Sequence, residues 1–185
     1  FSSIAQNDAD ESVRCAAIRR LLSLDDLHRL RKTSGLVKAT ATQQLLEILA
    51  GKIPSNYEDT ERIEQIRKLS PTEIKQVGLL AKCKAAGNEA LSVINEAEEL
   101  ADLCLFAISV HVRKNAAIKI HDKKLLKVLR EKVKNKDKTV YKVLDQRLCS
   151  DEDNEAKKLL AVAEQSLQLS KTPEKPAPPA EPELN

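Results

Sequence analysis

Asp10-Glu11-Ser12-Val13-Arg14-Cys15-Ala16-Ala17-Ile18-Arg19-Arg20-Leu21 carries a pattern that returns through the chain. A carboxylate able to cap a helix stands three residues before Val13. A base follows at Arg14, and apolar residues continue at Ala17 and Leu21. The grammar recurs as Ser34, Val37, Lys38, Ala41 and Leu45, and as Ser109, Val112, Arg113, Ala116 and Ile120. It recurs again as Asp137, Val140, Leu144 and Leu148, with a weaker copy at Ala86, Ala90 and Ile94. Apolar residues at i, i+4 and i+8 draw one stripe along a helix. One helix pair cannot bury such a stripe by itself, so stacking of neighbouring pairs is expected to close the core. Val13 lies 24 residues before Val37, and Val112 lies 28 before Val140, a period in the range of stacked helix pairs.

Between the copies, Ser23 to Asp26 reads as a capping box, followed by a short helix through Leu24, Leu27 and Leu30. The second motif helix is expected to run from Ser34-Gly35 to Ala50, with Gly51 just past its end. Residues 51 to 88 are irregular. Pro54 breaks the chain, and Tyr57 to Leu69 form a polar helix with Ile63, Ile66 and Leu69 on one side. Ser70-Pro71-Thr72-Glu73 is a strong helix start. That helix is expected to reach Ala86 and stop at Gly87-Asn88, unless the weak copy at Ala86 begins within it. Helices then follow at Leu100 to Ile108, Val112 to Ile120, Leu125 to Val133 and Val140 to Leu148. Ser150 to Asp153 caps a last helix to about Leu169, and the Pro-rich residues 170–185 read as a disordered or extended linker.

The composition agrees with an all-α protein. Two Phe, two Tyr and no Trp stand against 42% apolar and 32% charged residues, dominated by Ala, Leu, Lys and Glu. No apolar run approaches the ~20 residues that span a bilayer. Cys15, Cys83, Cys104 and Cys149 are scattered, so free thiols and a reducing, cytoplasmic setting are expected. The start at Phe1 without Met and the Pro-rich end lead us to expect part of a longer protein.

Asp8, Val13, Arg14, Ala17 and Leu21, with the later copies at Asn135, Val140 and Leu148 and at Val112, Arg113, Ala116 and Ile120, resemble the inner helix of a HEAT repeat. The likeness covers most of residues 1–150, although Tyr141 replaces the base and no Asp precedes Val37 or Val112 at the matching place. The irregular middle and charged tail resemble the helical N-terminal region of bacterial proteins carrying domain of unknown function 349. The resemblance implies a HEAT-like α-solenoid of stacked antiparallel helix pairs, its inner helices lining a concave face. It also implies a ladder of hydrogen bonds between neighbouring repeats, assigned here to Asp8, Arg14, Lys38 and Arg113. Recurrence of the bases at one repeat position favours that role over ligand contact.

No catalytic constellation stands out, and neither a cofactor nor a metal is expected. His28, His111 and His121 lack metal-ligand spacing, and the four glycines never cluster into a phosphate-cradling loop. Asp25-Asp26 and Glu98-Glu99 suit helix starts. Charge is the strongest functional signal. Between Ser109 and Arg147 there are 13 Lys or Arg and four acids, a net +9 in a chain of +3, so the remainder is −6. Lys114, Lys119, Lys142 and Arg147 fall on motif helices, which marks them as candidates to hold a protein or polyanionic partner. Reversing these four is expected to leave stability nearly unchanged. Lys132, Lys134, Lys136 and Lys138 lie on or near a turn, where they would only solvate the surface. A non-enzymatic scaffold is the expected function, with nucleic-acid binding as its alternative. Repeat enzymes of the DNA glycosylase or bilin lyase kind stand further off, the former because its chemistry leans on aromatic residues. A basic stripe along the concave face would favour nucleic acid, and scattered lysines a protein partner.

Overall fold

Asp10 and Asp137 cap the copies they open, whereas Ser34 and Ser109 make no side-chain cap bond. In the computed structural model, which describes residues 1–150, Asp10 accepts from Ser12 N at 2.7 Å and opens the first motif helix. Ser23 accepts from Asp26 N at 3.3 Å, and Asp122 from Lys124 N and Leu125 N at 2.8 and 3.1 Å. Ser70 and Glu73 form the expected capping box, with Pro71 in the first turn. The described residues are helical, with no strand among them. The elements are α1 (Ser2–Asn7), α2 (Glu11–Ile18), α3 (Leu24–Leu30), α4 (Gly35–Leu49), α5 (Asp59–Ile66) and α6 (Pro71–Leu80). They continue as α7 (Lys84–Val93), α8 (Ala97–Phe106), α9 (Val110–Lys119) and α10 (Lys123–Val133), then α11 (138–150). No described helix is long and apolar enough to cross a membrane. The helix expected beyond Ser150 and the 170–185 linker lie outside the described residues.

Phe1–Arg147 form one compact unit. Within it, α1 packs on α2, α3 on α4, α6 on α7 and α8 on α9, while α2 meets α4 and α7 meets both α5 and α9. Ala17, Leu21, Val37, Leu45, Val112, Ala116, Ile120, Leu144 and Leu148 are all buried, as the stripe requires. Val13 is not: it is 40% exposed, in a shallow apolar groove beside Phe1, Ile4 and Ala16. α1 packs on α2 but leaves this position uncovered, while Ala17 and Leu21 on the same stripe are buried.

Several elements differ from the sequence reading. A short helix, α1, precedes the first copy. The first motif helix, expected to run from about Asp10 to Leu22, stops at Ile18, because Arg20 and Leu21 bond three residues back, to Ala17 O and Ile18 O, rather than four. α5 starts at Asp59 and ends at Ile66, inside the expected Tyr57 to Leu69. α6 ends at Leu80, not Ala86, and Gly87-Asn88 sit inside α7 rather than ending a helix. At Gly87 a Cβ would stand 2.6 Å from Val112 Cγ2, so this glycine lets α7 and α9 approach closely. Gly51, in contrast, does end its helix. It takes φ +70°, its N–H donates to Ile48 O at 3.0 Å, and Lys52 N donates to Glu47 O at 2.9 Å.

Candidate binding surface

Most of these helices end without a glycine turn. Ile94, Ala107 and Ile120 are extended C-caps, which leaves the last carbonyls of α7, α8 and α9 without intrahelical donors. At α7 and α9, side chains of the next motif helix supply them. Lys119 Nζ donates to Leu91 O and Ile94 O, both at 2.6 Å, across the end of α7. Arg147 donates to Ile118 O, and to Ile120 O at 3.1 Å, across the end of α9. Gln44 Nε2 does the same past the end of α2, reaching Arg19 O at 3.2 Å and Leu21 O at 2.9 Å. Lys119, Arg147 and Gln44 each stand seven residues after the motif valine, so one repeat position carries one task. Positive charge suits it, because a helix C-terminus carries partial negative charge.

The base after the motif valine has a second, equally regular task. Arg14 Nη1 donates to Asp8 O at 2.6 Å and Ala9 O at 3.2 Å. Arg113 Nη1 donates to Ala107 O at 2.7 Å and Ile108 O at 2.9 Å, six and five residues back in both cases. Arg113 Nε also reaches Asp137 Oδ2 at 2.8 Å, joining α9 to the start of α11. The other Asp137 oxygen accepts from Thr139 N and Val140 N at 3.0 and 3.1 Å. Burial raises the Asp137 carboxyl pKa, but the Val140 N–H and the Arg113 guanidinium outweigh it and hold it below its ordinary value.

The ladder residues therefore divide. Arg113 reaches the next motif helix through Asp137, whereas Arg14 bonds only to the carbonyls five and six residues behind it. The Asp8 carboxylate makes no such link: its Oδ1 accepts from Asp10 N at 3.0 Å in a local turn. The acid that meets Arg113 is Asp137, a helix cap three residues before its valine, not the residue five before it. Lys38 is exposed and makes none of the bonds that Arg14 and Arg113 make. The sequence reading also missed Arg62, only 6% exposed. It donates to Ile48 O near the end of α4, to Tyr57 O at 3.1 Å and to Ser55 Oγ at 2.8 Å. Its place in a polar, irregular segment gave no periodic signal.

The four candidate partner residues divide as well. Lys119 and Arg147 are engaged with carbonyls, so reversing these two is expected to cost stability after all. Lys114 and Lys142 make no side-chain hydrogen bond or ion pair among the described residues. Both stand two residues after a motif valine, on α9 and α11, with Asn88 in the same register on α7. One turn earlier the register reads Lys84, Val110 and Lys138, and Lys84, Lys138 and Lys142 are exposed. The acids of these helices are engaged: Glu89 pairs with Arg67 at 2.8 Å and Asp145 with Arg130 at 3.1 Å.

Among the described residues, no three His, Cys, Asp or Glu side chains converge to hold a metal. His111 Nε2 lies 2.8 Å from Asn88 Oδ1, tying α9 to α7. His28 Nε2 lies 3.2 Å from Gln65 Oε1. The described cysteines are free thiols. Burial, with Asp137 nearby, pushes the Cys104 thiol up to about 11, which leaves little thiolate at neutral pH. Compared with family models, curated proteins and solved structures, the chain matches none.

Proposed function

We propose that the chain is a HEAT-like α-solenoid, related to the region preceding domain of unknown function 349, and that it serves as a non-enzymatic scaffold for a polyanionic partner. The observation that carries this reading is that Lys114 and Lys142, without an ion pair among the described residues, share one register position of successive motif helices, flanked by Lys84 and Lys138. Cations repeated along a stack of helices, with neighbouring acids already engaged, track a repeated charge such as a phosphate backbone. Nucleic acid is the polyanion to test first. Binding should be nearly indifferent to base sequence, since two Phe and two Tyr offer little stacking surface. A protein partner is the second reading. Val110 and Ile118, exposed on either side of Lys114 along α9, favour it.

The test is a titration of single-stranded and duplex nucleic acid at two salt concentrations, using wild type and K114E/K142E. Log affinity should fall with log salt at about −0.7 to −0.9 per phosphate contacted. The variant should lose binding while keeping its melting temperature, because Lys119 and Arg147 are left in place. No binding by wild type at low salt, or equal binding by the variant, would remove the polyanion and leave the protein partner.

A further inference from the structure

Where α8 ends and α10 turns into α11, a groove of about 470 Å³ opens in the surface. Its walls mix apolar and cationic groups in an arrangement unlike the lysine register just described. Phe106, at the last position of α8, is 68% exposed, with Leu105 beside it and Val133 at the end of α10. Lys132 and Lys136 stand along the same groove and are exposed. Neither makes a side-chain hydrogen bond or ion pair among the described residues. Arg113 and Asp137 also line it, but they neutralise one another at 2.8 Å. The groove therefore presents an apolar wall and two uncompensated positive charges.

We propose that this groove docks an acidic peptide segment of a protein partner, one apolar side chain lying against Phe106, Leu105 and Val133 and flanking carboxylates meeting Lys132 and Lys136. The chemistry follows from the walls. An exposed aromatic ring beside aliphatic groups gains most from an apolar side chain, and a centrally placed aromatic typically dominates such an interface. The two lysines fix the sign of what surrounds the anchor and favour its encounter. Nucleic acid fits less well: one ring among aliphatic groups is a poor stacking platform, and two cations make a short phosphate track. This inference does not rest on the polyanion reading, since Lys114 and Lys142 do not line the groove.

The experiment uses the full chain, labelled with ¹⁵N, and an acetylated Glu-Glu-Leu-Glu-Glu amide as probe. Amide resonances of residues 104–106 and 132–137 should shift. The same peptide with alanine in place of leucine should bind at least about tenfold more weakly. Phe106→Ser and, separately, K132E/K136E should each abolish the shifts, while K114E/K142E should leave them unchanged. Phe106 is largely exposed, so its replacement is not expected to unfold the chain, and the spectrum of the free variant checks this. The proposal is overturned if the peptide shifts nothing in this region or if the alanine peptide binds equally. Shifts that survive Phe106→Ser overturn it too, as does a short oligonucleotide that shifts the same amides while the peptide does not.

Discussion

The α2–α4 pair and the α9–α11 pair use one scheme with different chemistry. In both, an arginine after the motif valine bonds the carbonyls six and five residues behind it. In both, a side chain seven residues past the next motif valine closes the end of the earlier motif helix. At α2 that side chain is neutral Gln44, and Ser34 starts the next helix without a side-chain cap bond. At α9 it is Arg147, and Asp137 starts the next helix while holding Arg113. The first pair is joined by neutral hydrogen bonds, the second by charged ones. Part of the +9 between Ser109 and Arg147 is therefore structural. Arg113, Lys119, Arg130 and Arg147 all have partners, and what is left for binding is a smaller set.

The largest expected effect separates the two pairs at their valines. Val112 is fully buried against Gly87, whereas Val13 is 40% exposed. Val112→Asp places an unpaired carboxylate in the core and should cost about 4 kcal/mol or more, enough to unfold a marginal domain. Val13→Asp should cost about 1 kcal/mol or less in denaturant titration. Gly87→Ala belongs with the first group. Its Cβ has no room beside Val112, so about 1–3 kcal/mol should be lost. Equal losses at Val13 and Val112 would break the comparison.

The next effect tests the closing side chains. Arg147→Ala and Lys119→Ala each leave two helix-end carbonyls short of a donor, at about 1–2 kcal/mol. Gln44→Ala does so with a neutral donor and should cost a similar amount, but with less dependence on salt. Lys114→Ala should change stability by less than about 0.5 kcal/mol, since it closes nothing. Melting curves at two ionic strengths read all four.

These contrasts also mark what the sequence could tell. The stripe at i, i+4 and i+8 located the motif helices, and almost all of the positions it named are buried, because burial follows periodicity. It misplaced Val13, because periodicity says which face is apolar, not whether a neighbour covers it. Gly87 read as a helix stop for a related reason. Its role is set by Val112, 25 residues away, and only tertiary packing distinguishes a breaking glycine from one that admits a crossing helix. Lys119 and Arg147 read as surface charges because a long side chain folding back onto carbonyls leaves no local trace. Their spacing from the valines was present all along, and comparing the copies seven residues past each valine would have singled them out.

The last effect concerns charge alone, at the start of α11. Asp137→Asn keeps a side chain able to cap the helix but removes the charge that Arg113 faces. The cost should be about 1 kcal/mol at neutral pH, whereas Ser34→Ala at the matching position should cost almost nothing. Because the folded-state pKa of Asp137 is lowered, the folded protein binds fewer protons there than the unfolded chain does. The extra stability is therefore complete above the unfolded value of about 3.9 and disappears as pH falls through the folded value. The gap between wild type and Asp137→Asn should be flat from neutral pH down to about 5, then close toward zero in stronger acid. Denaturant titrations at successive pH values measure it. A gap that persists or widens on the acid side would show that Asp137 acts by its shape as a cap and not by its charge, and the two helix pairs would then differ less than their side chains suggest.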